Sequence, residues 1–259
     1  MSSSPRSASD VHVDTLPYVG NELELFAEAR NWKRYFGGII APYLRDDVLE
    51  VGAGIGGTTR VLCDGRQRSW TALEPDASLA DAMRRSFAEA PLPVPARVVT
   101  GTLASLPGEA RLDALLYIDV LEHIEDDAAE VARAAARLVP GGALIVLCPA
   151  HQWLYSPLDR RLGHFRRYSA RTMAALTPPP LLSLERLLLL DVVGMLASAA
   201  NRFLLRQEGA SPRQVRFWDR WLVPSSRLVD PIFRHRLGKS VLAIWRRPPG
   251  GDAAHSPIS

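Results

Sequence analysis

A glycine cluster follows the first strongly apolar run of the sequence and is placed to hold a ligand. Residues 48–59 read VLEVGAGIGGTT, so the apolar run ends directly in Gly52, Gly54, Gly56 and Gly57. Glycines permit a tight turn and bring backbone N–H groups close to a ligand at a helix N-terminus. Taken alone, Gly52, Gly54 and Gly57 spell GxGxxG, which also fits a dinucleotide site. The segment therefore predicts a nucleotide-type ligand without choosing one.

Two carboxylates accompany the glycine turn and narrow the choice of ligand. Glu50 stands two residues before the first glycine, where a carboxylate would repel a pyrophosphate and attract an ammonium group. Glu74 stands about twenty residues after the turn, where an acid accepts hydrogen bonds from ribose hydroxyls. Together they favour an adenosine-type ligand that carries an amino group. A locally paired Glu50 and an ordinary strand-end Glu74 are the alternative interpretations.

Strands and helices alternate from Val48 onward, as a doubly wound parallel α/β sheet requires. Apolar runs predict strands at Val48–Ala53, Trp70–Glu74, Arg97–Thr100, Ala114–Asp119, Ala143–Cys148 and Ser240–Trp245. Helical spacing predicts helices at Glu22–Phe36, Gly57–Leu62, Ala77–Glu89 and Asp126–Leu138, the last one stopped by Pro140-Gly141-Gly142. Further apolar stretches follow at Leu181–Val193 and Met195–Leu205.

Five segments between Val48 and Pro149 resemble, in order, the motifs of one enzyme family. EVGAGIG at 50–56 resembles the E/D-x-G-x-G-x-G signature of class I methyltransferases that use S-adenosylmethionine (SAM), and Glu74 matches their ribose-binding acid. Gly101-Thr102-Leu103 stands where the family usually has a Gly-Asp pair near the adenine, so Thr102 departs from the pattern. YIDVLEHI at 117–124 resembles the fourth motif, and LVPGGAL at 138–144 the turn into the fifth strand.

The flanking regions resemble a subgroup of these methyltransferases with three further short motifs. They are an N-W-K helix at Asn31–Lys33, a G-H-x-R-R-Y segment at Gly163–Tyr168 and a final G-K-S strand at Gly238–Ser240. The resemblance implies a Rossmann-like doubly wound, mostly parallel seven-stranded sheet with helices on both faces and a lid insertion. It implies SAM as cofactor, held by these residues: Glu50, Gly52, Gly54, Gly56, Glu74, Pro75, the Thr102 and Leu103 backbone, and Asp119.

The resemblance also implies methyl transfer to a small organic acceptor, such as a secondary metabolite, a quinone precursor or a lipid-linked intermediate. A base is useful only where the acceptor must lose a proton, and His123, after the fourth strand, is the predicted catalytic base. We assign no metal ligand. An open alternative is a divalent ion held by Asp119, Glu122 and His123 with His151 or His164, similar to the E-x-x-E-H arrangement of metal-assisted methyltransferases of the ubiquinone pathway and of small-RNA 3′-end modification.

The expected domain spans residues 18–248, between flexible tails at 1–17 and 249–259, with 151–169 and 195–238 as lid or insertions on the acceptor side. Aromatic residues in the first insertion suggest a flat or apolar acceptor, and its arginines suit a carboxylate or phosphate. Trp32 or Tyr35 of the first helix is a further candidate to close over a ligand.

Bulk properties indicate a globular protein of the cytoplasm. The net charge of +3 comes from scattered arginines, so no nucleic-acid partner is expected. Cys63 and Cys148 lie on apolar segments outside any CxxC pair, which fits a reducing compartment. No run is apolar enough to predict a transmembrane segment, while peripheral membrane contact stays open.

Two rival functions share the predicted sheet. An NAD-dependent oxidoreductase would use the same glycine turn, but Glu50 argues against it, and neither Lys33 nor Lys239 follows a tyrosine by four residues. A non-catalytic SAM-binding protein would keep Glu50, Glu74 and the turn. The fold alone does not decide among these functions.

Overall fold

The computed structural model describes residues 28–106, 111–202 and 211–249. Its seven strands are β1 (Asp46–Val51), β2 (Gln67–Glu74), β3 (Ala96–Thr100), β4 (Leu112–Ile118), β5 (Leu138–Pro149), β6 (Ser183–Leu190) and β7 (Ser240–Arg246). They form one sheet in the order β3-β2-β1-β4-β5-β7-β6, in which β7 runs antiparallel to both of its neighbours. The predicted mostly parallel seven-stranded sheet is therefore confirmed.

Helices cover both faces of this sheet and build a layer above its carboxyl edge. They are α1 (Arg30–Ile40), α2 (Thr59–Leu62), α3 (Ala77–Glu89), α4 (Asp127–Arg137), α5 (Pro157–Arg161), α6 (Ala170–Ala175), α7 (Val192–Ala200), α8 (Pro212–Phe217) and α9 (Val223–Val229). A π-helical segment, Trp218–Leu222, joins α8 to α9. Two apolar clusters fill the two faces, because the central strands bury side chains on both sides.

The strand order reverses between β1 and β4, and this reversal determines where a ligand fits. Val48 of β1 pairs in parallel with Trp70 of β2 on one side and with Ala114 of β4 on the other. The connections after β1 and β4 therefore leave the sheet in opposite directions and open a crevice at the strand carboxyl ends. The glycine turn follows β1, and the segment containing His123 follows β4.

Several predicted element boundaries differ from the observed ones, among them the following three. The first helix runs over Arg30–Ile40 rather than ending at Phe36, and the predicted start at Glu22 lies outside the described residues. The helix after the glycine turn begins at Thr59 rather than Gly57, because Gly56 still adopts a φ of +80°. The fifth strand begins at Leu138, which pairs with Leu112 of β4 instead of ending the preceding helix.

The two unassigned apolar stretches form regular elements. Residues 183–190 form β6, which pairs with β7 from Ser183 to Leu190, and residues 192–200 form helix α7. The expected tails at 1–17 and 249–259 lie outside the described residues, apart from Pro249. Among the described residues, no helix is both long and apolar enough to cross a membrane.

Candidate active site

A cavity of about 380 Å³ lies in the crevice between the carboxyl ends of β1 and β4. The glycine turn forms one wall, and α1, the segment after β4 and the first insertion form the others. The predicted site residues that line it are Gly52, Gly54, Asp119 and His123. Residues from other elements complete the lining, among them Trp32, Lys33, Phe36, His164, Trp218 and Lys239.

Backbone geometry explains the first glycine of the turn. Gly52 adopts a φ of +68°, and a Cβ atom there would stand 2.5 Å from Cγ2 of Val120. The Gly52 N–H donates to the Leu73 carbonyl at 2.8 Å, which fixes the turn against β2. Only glycine combines this conformation with this close approach. The chain can thus pass beside the cavity without a side chain filling it.

The third glycine of the signature has a different environment. Gly56 also has a positive φ, but a Cβ atom there would stand 2.9 Å from the Phe87 ring of α3. Gly56 therefore allows α3 to pack closely against the turn, and it does not line the cavity as Gly52 and Gly54 do. Its predicted cofactor contact stays a prediction.

Glu50 lies beneath the turn, with 2% of its surface exposed. Its Oε2 accepts hydrogen bonds from Thr59 Oγ1 at 2.6 Å and from Trp70 Nε1 at 3.2 Å. Burial raises the pKa of the Glu50 carboxyl to about 7, although these two donors and the Lys33 ammonium oppose that shift. The carboxylate is thus locally paired and at the same time able to place negative charge behind the turn.

Glu74 ties the end of β2 to the glycine turn. Its Oε2 accepts the Gly54 N–H at 2.8 Å, and its Oε1 accepts the Asp76 N–H at 3.0 Å. Burial raises the pKa of this carboxyl. Each carboxylate oxygen has a second lone pair, so both retain acceptor capacity for a ribose hydroxyl. Pro75, the next predicted contact, is exposed beside it.

The segment after β3 offers less than the sequence suggested. The Thr102 N–H donates to Ser105 Oγ at 2.9 Å, so a local capping box already uses this backbone donor. The Leu103 side chain is fully buried, and its carbonyl accepts a hydrogen bond from Arg137. A cofactor contact by Thr102 or Leu103 therefore stays a prediction, because hydrogen bonds within the protein already use the Thr102 N–H and the Leu103 carbonyl.

Asp119 stands at the end of β4 in a left-handed conformation, with a φ of +55°, and its side chain is exposed to the cavity. Protein surrounds the cavity closely, and this confinement raises the pKa of Asp119 to about 6. The positive charges of Lys33 and Lys239 oppose the shift. The cavity therefore presents a carboxylate in a low-dielectric setting, where an arriving cation gains more than it would in water.

His123 belongs to a compact group with Glu122 and His164. Ligand-capable atoms of the three side chains all lie within 4.8 Å of one another, and the two imidazole centroids are 4.5 Å apart. Burial lowers the pKa of His123 to about 4, so the ring is neutral at physiological pH and can accept a proton. Glu122 is fully buried, and neither of its oxygens accepts an N–H or O–H hydrogen bond from the described residues.

This geometry limits which of the proposed residues could hold a divalent ion together. His164, and not His151, joins Glu122 and His123, because His151 Nε2 is bonded to the Gly238 carbonyl at 2.9 Å. Asp119 lies outside the group of ligand-capable atoms, although its charge adds to the burial that raises the pKa of Glu122.

A buried carboxylate organises the first insertion, which covers the cavity. Asp159 accepts hydrogen bonds from the Ser156 N–H at 2.8 Å and from Nε and Nη2 of Arg167 at 2.7 and 3.0 Å. Its Oδ1 also lies 3.0 Å from His164 Nδ1. Arg166 is likewise paired, with Asp127 at 2.7 Å. The arginines predicted to hold an acceptor anion thus bond within the protein, although Arg167 also lines the cavity.

Sequence reasoning missed Trp218 of the π-helical segment, and it named Lys239, just before β7, only as part of the G-K-S motif without a role at the cavity. Trp218 donates from Nε1 to Asp191 Oδ2 at 2.7 Å, and Lys239 Nζ lies 3.7 Å from the centroid of the Trp218 ring. Both residues are far from the signature in sequence, so only the tertiary fold places them at the site. Of the two aromatic candidates on α1, Trp32 lines the cavity, whereas the Tyr35 hydroxyl is bonded to Asp230.

Comparisons with known proteins agree with this architecture. A family model described as a methyltransferase domain matches residues 48–142. Similar solved structures include an S-adenosylmethionine-dependent methyltransferase from Clostridium acetobutylicum, with a TM-score of 0.55 and 11% identity over 89% of this chain and 96% of that one. Coclaurine N-methyltransferase bound to N-methylheliamine and S-adenosylhomocysteine (SAH) gives a TM-score of 0.52 at 14% identity, covering 78% of this chain and 67% of that one.

The cyclase SpnF, a [4+2]-cyclase, has the same fold, with a TM-score of 0.55 and 16% identity over 84% of this chain and 82% of that one. No curated protein matches the sequence significantly. The domain match covers the glycine turn, both flanking carboxylates and the segment with His123, and the structural likeness covers 78–89% of the chain in these comparisons. Residues 48–142 thus match a methyltransferase domain, and the chain has the fold of SAM-dependent methyltransferases.

Proposed function

We propose that this chain transfers the methyl group of SAM to a small organic acceptor bound under the first insertion. The observation that carries the proposal is the single cavity that joins the glycine turn to His123 and to the insertion. Cofactor and acceptor would share this space, as direct displacement between them requires. When bound, SAM supplies an electrophilic methyl group, so the protein mainly positions the acceptor and excludes water.

The donor set at the turn fits SAM better than a dinucleotide. Glu50 places a carboxylate behind the turn, and Asp119 offers a second one that lines the cavity. Both attract an ammonium group and would repel a pyrophosphate. Glu74 retains acceptor capacity for ribose hydroxyls at the end of β2. These features favour methyl transfer over the NAD-dependent rival, and a cytoplasmic, nucleic-acid-independent role remains part of the proposal.

The walls of the acceptor half suit a flat or apolar molecule. Trp32 and Phe36 of α1, Leu158 and Leu162 of the insertion, and Trp218 face this space. Such walls fit an aromatic or prenyl-like acceptor, which agrees with a secondary metabolite, a quinone precursor or a lipid-linked intermediate. Coclaurine N-methyltransferase, which shares the fold, is bound to a small amine. SpnF shows that the fold also carries a cyclase, so turnover has to be measured.

The affinity for SAM should fall as the pH is lowered from 8 to 6. Glu50 must be ionised to attract the ammonium group, and its raised pKa of about 7 means that it binds a proton across this range. We expect an affinity about tenfold lower at pH 6 than at pH 8, measured by calorimetry. A Glu50→Gln variant should bind weakly and keep only the roughly twofold pH dependence that Asp119, with its pKa of about 6, contributes. A flat wild-type profile would contradict this role.

Replacing His123 by asparagine should lower the methylation rate while SAM affinity is preserved. If His123 removes a proton from the acceptor, the rate of SAH formation should fall by about 10² to 10⁴. His151→Asn is the matched control, since His151 lies outside the cluster and asparagine tolerates its positive φ. We expect that control to remain within a few-fold of wild type. An equal loss in both variants would refute the catalytic assignment.

Adding EDTA or Mn²⁺ distinguishes a catalytic base at His123 from a divalent-ion site. If Glu122, His123 and His164 hold a divalent ion, EDTA should abolish SAH formation and Mn²⁺ should raise the melting temperature of wild type but not of His164→Asn. If His123 acts as a base, EDTA and Mn²⁺ should change neither quantity.

A further inference from the structure

The solvent-facing side of the helical segment over residues 212–229 is unusually apolar for a protein surface. The helical segment over residues 212–229 exposes Phe217, Trp221 and Leu228, with 57%, 58% and 76% of their surfaces accessible. Ile232, just beyond it, is also 76% exposed. Together with exposed Pro224 these residues recur three or four positions apart, so they form one stripe along the segment. We call this set the outer stripe.

The outer stripe is not a core face that failed to pack. The opposite side of the same segment is buried through Val215, Trp218, Val223 and Ser226, and it packs against α1 and α7. The segment is therefore apolar on two opposite faces. Only the inner face is covered within the described part of the chain, and exposed apolar patches of this kind mark interaction surfaces.

The exposed charged side chains beside the outer stripe are arginines. Residues 212–237 contain six arginines, at 213, 216, 220, 227, 234 and 236, and only two acids. Both acids are buried and bonded inward: Asp219 accepts the Trp32 N–H at 2.8 Å, and Asp230 accepts the Tyr35 hydroxyl at 2.8 Å. Within the described part of the chain, the one ion pair of these arginines joins Arg216 to exposed Glu28 at 3.9 Å, a contact worth little in water.

We propose that the outer stripe and its arginines dock this protein onto an anionic lipid bilayer. Apolar side chains with an indole among them suit the boundary between acyl chains and headgroups, and arginines extend from their stems to lipid phosphates. The complementary partner is a surface of negative charge with an apolar interior, which an anionic membrane provides. The segment lies on the membrane and does not cross it, in agreement with the lack of a spanning helix among the described residues.

Docking would connect the membrane to the cavity. Trp218 belongs to the same segment and lines the cavity from its inner side, and Ser198 of α7 also lines the cavity. This step rests on the proposed function: with an acceptor site directly behind a membrane-docked layer, a lipid-linked intermediate is favoured over a freely soluble acceptor.

Vesicle flotation tests the proposal with the full chain. Wild type should float with vesicles of phosphatidylcholine and phosphatidylglycerol, and much less with phosphatidylcholine alone. Phe217→Ser with Trp221→Ser should reduce the bound fraction by about tenfold or more, as should Arg213→Gln with Arg220→Gln and Arg227→Gln. Leu181→Ser with Arg85→Gln is the matched control on other exposed positions, and it should float like wild type.

The alternatives give different results. Equal flotation of all variants would overturn the proposal. Absence of vesicle binding together with a dimer that dissociates in Phe217→Ser with Trp221→Ser, seen by sedimentation velocity, would assign the outer stripe to a second copy and overturn it as well. Each variant is also titrated with SAH. Unchanged SAH affinity shows a folded cofactor site, so loss of flotation and loss of cofactor binding are separate failures.

Discussion

Replacing Glu74 by alanine is expected to lower SAM affinity by about 100-fold or more. Each hydrogen bond from a ribose hydroxyl to a carboxylate contributes about 1.5–3 kcal/mol, and the change removes both acceptors. It also releases the Gly54 N–H, which Glu74 holds at 2.8 Å, so the turn loses one of its ties to β2 and keeps the Gly52 bond to the Leu73 carbonyl. Calorimetric titration with SAM measures the effect.

Two companion variants make that result specific. Glu74→Gln keeps the shape and one acceptor oxygen, and we expect it to bind SAM more tightly than the alanine variant but less tightly than wild type. Glu89→Ala changes an exposed acid at the end of α3 and should bind like wild type. Circular dichroism should show folded protein in all three. Wild-type affinity in a folded Glu74→Ala protein would refute the ribose-binding role.

Replacing Asp159 by alanine should destabilise the first insertion more than any other single change there. This carboxylate is 1% exposed and bonds Ser156, His164 and Arg167 together, and these bonds hold its pKa well below the usual range despite burial. Its removal leaves Arg167 as an unpaired, largely buried cation. Breaking a buried pair in this way costs about 3–5 kcal/mol.

Thermal unfolding and turnover together measure this effect. We expect a lower melting temperature and a strong loss of SAH formation, because His164 and the wall over the acceptor lose their anchor, with SAM affinity changed much less. Asp81→Ala is the control, since it breaks only an exposed pair with Arg84 and should cost less than about 1 kcal/mol. Equal melting temperatures for the two variants would show that Asp159 does not organise the insertion.

The sheet was predictable because its signals are local. The central parallel strands β1 and β4 are short apolar runs, and the predicted helix Ala77–Glu89 is observed with the same ends. Asp76 explains that agreement, since its side chain accepts the Ser78 and Leu79 N–H groups as an N-cap. The antiparallel pairing of β6 with β7 has no such local signature, so residues 181–193 were seen only as an apolar stretch.

The positions of the candidate site residues could be predicted only within the segment that the family motifs cover. The turn, Glu50, Glu74 and His123 lie within the segment that the methyltransferase motifs cover. The contributions of Trp218 and Lys239 depend on how the last helices and β7 return to the crevice, which no spacing rule encodes. Gly56 shows the reverse case. The motif predicts a cofactor contact for it, but its surroundings show a packing contact with α3.

Parallel calorimetric titrations of the purified chain with SAM, SAH and NAD test the central claim most directly. The glycine turn, Glu50 and Asp119 predict saturable one-to-one binding of SAM and SAH, and no measurable binding of NAD under the same conditions. Binding of NAD without binding of SAM or SAH would contradict the account.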